Sequence, residues 1–229
     1  MSGAVPGGQS TDRGLDGGAI QTSMASAQSW LQSVIGKRLR IDTSGSAIDI
    51  TYLKSNYDQT SLATKGATMW YWIEQDLIDH NLEAANKYYL VYYDGVAAEN
   101  CGGAARPPTI GGRVAVVFLR SPACGGQSLT TNVNASGHLE FVALHEVFHL
   151  LGAVPDCATG ATGDGHVTNA NDLMYQGGGV WNPTGVDAAH SAYWATNRND
   201  CVDVNRSALL EPQGPDLPPS GQRVEAGGV

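Results

Sequence analysis

The 229-residue chain has no stretch approaching 18 uninterrupted apolar residues, which excludes a single apolar helix across a bilayer. It is short of cations: 13 Lys and Arg stand against 22 Asp and Glu, for a net charge of −9. Sequence-independent nucleic-acid binding needs Lys and Arg for the phosphates, so that class is excluded, and docking on anionic membranes is disfavoured. None of the four cysteines stands in a CxxC pair, which removes a Cys-based zinc knuckle. The first residues, MSGAVPGGQSTDRG, contain no apolar signal core. No internal repeat is present.

What is there is 42% hydrophobic and 15% charged, enough apolar material for one sizeable domain and too much for a disordered chain. The even, widely spaced cysteines fit two disulfides and an oxidising compartment; four buried thiols in a cytosolic protein are the alternative. Cys101 (ENCGG) and Cys124 (PACGG) sit in glycine-flanked turns around one expected strand. The expected pairing is therefore Cys101–Cys124 and Cys157–Cys201. A secreted chain ought to carry an apolar leader; a mature chain with an added start Met reconciles the two, and the expected location is extracellular.

Residues 1–17 are glycine-rich and read as a loose N-terminal segment. A helical stripe (Ile20, Met24, Ala27, Trp30, Leu31, Val34) follows over about 19–35. RLRIDT (38–43) and AIDITYL (47–53) read as strands split by the Ser44-Gly45-Ser46 turn. Residues 62–82 read as a helix, YYLVYY (88–93) and VAVVFL (114–119) as buried strands, and 101–113 as a loop between them. Residues 138–151 give the clearest helix. The tail 211–229 has no periodicity and reads as disorder or linker. The order α, β, β, α, β, β, α predicts a mixed α/β (α+β) domain over 18–210.

The chemistry concentrates at His145-Glu146-Val147-Phe148-His149, an HExxH sequence. On a helix, residues i and i+4 share a face, so both imidazoles can reach one metal ion with Glu146 beside it. Phe141, Leu144, Phe148 and Leu151 recur at core spacing on a neighbouring face. Three more features follow. Gly152 is where the helix should turn. His166 lies in the loop GDGHVTNAND. Leu173-Met174-Tyr175 places a methionine in a turn.

Together these residues resemble the metzincin clan of zinc endopeptidases, with a particular likeness to secreted bacterial metzincin-like peptidases carrying HExxHxxGAV. The resemblance covers 138–176. It implies a mixed twisted sheet with an active-site helix and a smaller C-terminal subdomain. It also implies one catalytic zinc on His145, His149 and a third ligand, Glu146 as general base, and Met174 as the Met-turn residue. The clan places its third ligand three residues after the glycine, and here that position is Pro155, which cannot bind zinc. Asp156 follows by one residue and His166 by eleven. Matrix metalloproteinases, of the same clan, place the third histidine eight residues before the Met of an LMY turn, and His166 stands eight before Met174. That register favours His166 and makes 153–165 an insertion, with Asp156, and more remotely His190, left as alternatives. His80 and His138 lack partners at ligand spacing and read as structural or exposed; His190, in the helical-looking DAAHSAYW, reads as packing.

The expected activity is hydrolysis of a peptide bond by a metal-activated water, with Glu146 moving the proton. The substrate is an extended protein or peptide added to a sheet edge, for which 114–119 is a candidate. By the same resemblance, the segment after the Met-turn, YQGGGVWNP (175–183), walls the pocket for the side chain after the cut bond. Val180 and Trp181 would be its apolar groups; packing of Trp181 into the core is the alternative. Tyr175 directly follows Met174 and is given no catalytic role. No motif indicates structural calcium, and a monomer is expected. Two other classes stay open: a non-catalytic extracellular zinc-containing binding module, and a thermolysin-type peptidase whose third ligand is a Glu on a later helix, although none of the downstream acids Asp187, Asp200, Asp203 and Glu211 sits in a second-helix motif.

Overall fold

The computed structural model describes residues 2–6 and 17–212. Its elements are β1 (Ser2–Pro6), α1 (Gly17–Ile35), β2 (Lys37–Leu39), β3 (Thr43–Ser44), β4 (Ala47–Ile48), β5 (Ile50–Leu53), α2 (Gln59–Ala63), α3 (Met69–Asp79), β6 (Tyr89–Tyr93), β7 (Gly102–Arg106), β8 (Ile110–Phe118), α4 (His138–Leu150) and β9 (Leu210–Pro212). The chain is a mixed α+β protein. Its main sheet has the order β5-β1-β6-β8-β7. The first four strands of that order run parallel, and β7 runs antiparallel to β8 along one edge.

The core of the sheet follows from composition. Every residue of β6 is buried, as are Val114–Phe118 of β8, because helices cover both faces. The faces are identified at two adjacent glycines of β7. A Cβ at Gly102 would point at Glu146 of α4, and one at Gly103 would point at Trp70 of α3. Successive side chains leave opposite faces of a strand, so α4 and α3 lie on opposite sides. Helix α1 packs beside α4, where Trp30 meets Phe141 edge-on at 5.2 Å.

Several sequence expectations are corrected. Part of the loose segment 1–17 is ordered: Ser2–Pro6 pairs in parallel with both β5 and β6, a position inside the sheet that runs on backbone hydrogen bonds. Residues 7–16 lie outside the described residues. The expected strand 38–43 reaches only Leu39, and the expected helix 62–82 is broken at Thr64–Thr68, with Gly66 at φ +53, before α3 begins. The expected loop 101–113 contains β7 and the start of β8. Strand β8 is consequently interior, and the sheet edge beside α4 is β7. Glu211 and Pro212, assigned to the tail, pair with β2; residues 213–229 lie outside the described residues. The stretch 187–195 holds turns and bends in place of the expected helix, with Asp187, His190 and Ala195 at positive φ.

After α4 the chain runs through 151–209 with a single 3-10 turn (Val204–Arg206) and no strand or α-helix, forming the smaller C-terminal part. Buried aspartates hold it. Asp187 accepts the backbone N–H groups of Ser191, Ala192, Tyr193 and Trp194 at 2.8–3.2 Å. Asp172 accepts from Met174 N–H (2.7 Å), Asp187 N–H (2.7 Å) and the Tyr193 hydroxyl (2.6 Å). Carboxylates thereby serve donors that elsewhere a ladder would serve. The cysteines pair sequentially, Cys101 with Cys124 and Cys157 with Cys201. The second bridge ties the loop past α4 to the C-terminal part.

Candidate metal centre and cleft

Helix α4 supplies His145, Glu146 and His149, and all 13 of its residues are buried. The sequence suggested burial on one side only. The sheet, α1 and the C-terminal part pack around the helix, and its five polar residues, three His and two Glu, are buried with the eight apolar ones. At its start, Glu140 accepts the N–H of Gly137 (2.8 Å) and of Thr130 (3.1 Å) and the hydroxyl of Ser23 (2.5 Å). At its end, Gly152 takes φ +78, and its N–H returns to His149 O at 3.0 Å. The chain then loops through 153–165 and comes back with His166.

The three imidazoles converge. Nε2 of His145 lies 3.1 Å from Nε2 of His149 and 3.1 Å from that of His166, and the third side of the triangle is 3.2 Å. Three nitrogens on one tetrahedral ion with Zn–N of about 2.0–2.1 Å stand about 3.3 Å apart. His145 also shows why the triangle calls for a cation. Its Nδ1–H donates to Leu173 O (2.7 Å), which leaves its Nε2 as a lone pair. Burial, followed by the nearby His166, pushes the His145 pKa down to about 4, and burial drives that of His149 well below its usual value. Asp164 lies 3.1 Å from Nδ1 of His166 and orients that ring. The three side chains can hold one metal ion.

Glu146 is buried beside them, and burial pushes its pKa up to about 8. A cation on the histidines opposes that shift. Gly102 is required by this contact: a Cβ there would sit 2.5 Å from Glu146 Oε1. Met174 is fully buried one residue after Leu173, whose carbonyl holds His145.

The cluster opens into a cleft of about 450 Å³, bounded by β7, α4 and residues 175–181. Half-buried Trp181 meets His138 (5.1 Å), His145 (5.8 Å) and Phe141 (6.4 Å) and also lines the cleft. Val180 is 54% exposed and lies outside the lining, against the Gly125 turn. Asp156 is exposed and His190 is exposed in its turn; neither joins the cluster. Among the described residues, none of Asp187, Asp200, Asp203 or Glu211 joins it either, which removes the observation a thermolysin-type site needs. His138 is buried, with an imidazole pKa lowered by burial. Sequence reasoning passed over Asp172, Asp164 and Arg106, and it considered Asp187 only as a metal ligand, whereas that carboxylate holds backbone N–H groups. An Asp two residues before a glycine-rich or apolar turn is a weak signal, and none of the four stands at a motif spacing. No family model matches the chain, and no curated protein matches it at a significant level.

Proposed function

We propose that the chain is a secreted zinc-dependent endopeptidase of metzincin type. The observation carrying this reading is the Nε2 triangle of His145, His149 and His166 with a buried carboxylate, Glu146, on the same helix and an open cleft in front. When bound, zinc makes an attacking water available near neutral pH and polarises the scissile carbonyl. Glu146 accepts the proton of that water as it attacks, then delivers it to the departing amine. Burial of Glu146 keeps competing solvent from that proton. The outer edge of β7 offers free backbone N–H and C=O groups along the cleft, so an extended peptide adds there as a further strand. Trp181 walls the pocket for the side chain after the cut bond and favours an apolar one. Two disulfides support an extracellular location.

The test is Glu146→Gln. Loaded with zinc, it should keep one ion per chain by mass spectrometry and lose casein hydrolysis by at least about three orders of magnitude, since base and metal act as a unit. Near-wild-type cleavage by the variant, or none by the zinc-loaded parent, overturns the reading; the second result leaves a binding module.

A further inference from the structure

Arg106 closes β7 at the end of the cleft nearest His149. The β7–β8 register shifts between Ala104 and Arg106, and contacts place the side chain on the α4 side of the sheet. A Cβ on Gly165 would lie 2.7 Å from both Cδ and Nη1 of Arg106 and 3.2 Å from Cε1 of His149, so guanidinium, loop and metal-ligand ring meet at one point. The side chain is half-buried and lines the cleft. Among the described residues its guanidinium has no hydrogen bond and no ion pair, whereas every other described arginine has a carboxylate or amide partner. That contrast is sharp in a chain with 22 acidic residues against 13 basic ones. Asp164, which lines the same cleft, does not serve it. Asp164 is engaged by Gln176 (2.8 Å), by the Thr162 hydroxyl and by His166.

We infer that Arg106 is a specificity-determining residue that receives an acidic side chain of the substrate, on the amino-terminal side of the cut bond. The inference rests on the peptidase reading and deepens it. Trp181 flanks His145, where the side chain after the cut is placed; Arg106 flanks His149, one helical turn away on the opposite side. A guanidinium half-withdrawn from water and lacking a counter-charge forms strong, two-pronged hydrogen bonds to a carboxylate. Substrate then supplies the partner that the fold omits.

The experiment is cleavage of a fluorogenic peptide library, randomised on both sides of the cut, by the zinc-loaded full chain. Wild type should prefer Asp or Glu over Ala at one position before the cut by about tenfold or more, with Lys disfavoured. Arg106→Gln should flatten that preference while leaving the profile after the cut unchanged, and Arg106→Glu should invert it towards Lys and Arg. A wild-type profile with no acidic preference overturns the inference, as does Arg106→Gln retaining it or losing all peptides equally. If Arg106→Gln fails to fold, Arg106→Lys replaces it and should weaken the preference. If no peptide is cut at all, the peptidase reading falls. The inference is then decided by anisotropy of labelled Asp-containing and Ala-containing peptides on Glu146→Gln and on Glu146→Gln/Arg106→Gln. Equal binding of the two peptides overturns it.

Discussion

The chain up to Leu150 and the chain after it solve the same problem by different means. In the first part, backbone groups are satisfied by parallel strands and helices, and apolar side chains fill the space between; α4 and β6 have no exposed residue. In the second part the backbone is irregular, and single carboxylates satisfy clusters of N–H groups. Of the six non-glycine residues at positive φ among the described residues, only Asn81 belongs to the first part; Val154, Asp187, His190, Ala195 and Asn197 belong to the second. Such conformations persist only where their surroundings hold them. The histidine cluster takes two rings from the regular part and one from the irregular part. The lesson is that a rigid helix fixes two of the three nitrogens, and a pinned loop decides whether the set is complete.

The comparison can be broken most severely at the loop's own ligand. His166→Ala should lose the metal and with it activity, by orders of magnitude, whereas Asp156→Ala should keep both; metal content by mass spectrometry decides. Metal loss in Asp156→Ala with retention in His166→Ala would reverse the assignment. A second break contrasts the two ways of holding structure. Phe148→Ala, in the fully buried helix, should cost about 3–5 kcal/mol in global unfolding by denaturant. Asp187→Ala strips four backbone donors of their acceptor and should cost about 3 kcal/mol or more. In that variant, hydrogen exchange should rise first in 186–195, with α4 still protected. Uniform loss of protection in both variants would show one cooperative unit.

A smaller effect separates the bridges. Replacing Cys157 and Cys201 by serine should cost about 2–4 kcal/mol and weaken metal retention, because the bridge closes the arm that carries His166. Smallest is the alkaline limit, which belongs to the regular part. Burial pushes the Tyr93 pKa up to about 12 and raises those of Tyr89 and Tyr92. An unfolded tyrosine ionises at about 10, so the folded chain holds these protons longer. Stability is therefore whole below pH 10 and falls as pH rises towards 12. Tyrosinate absorbance should rise for these residues only together with loss of near-ultraviolet dichroism.

Legibility followed the same division. Strands β6 and β8 announce themselves through YYLVYY and VAVVFL, and α4 through its spacing, because apolar burial writes a periodic signal. His166 was readable through its distance to Met174 rather than to Gly152. Strand β7 was not, since its first two positions are glycine for reasons outside the strand: Glu146 and Trp70 occupy the space their side chains would need. Strand β1, SGAVP, carries one branched residue and no alternation; its place between β5 and β6 depends on backbone pairing that composition does not encode. The loop-holding roles of Asp172 and Asp187 were invisible because a carboxylate that caps loops binds whatever N–H groups the loops bring, at no fixed spacing.

Burial of every residue of α4 also governs which changes the chain can absorb. A helix with every residue buried has no position where a new side chain is free of consequence, so any substitution from His138 to Leu150 disturbs packing or the cleft. The stretch Thr159–Gly163 differs: Thr159, Gly160 and Gly163 face water, and its length is bounded by the Cys157–Cys201 bridge before it and the need to deliver His166 after it. Variation in length, tags and grafted segments will be tolerated there and nowhere along the helix.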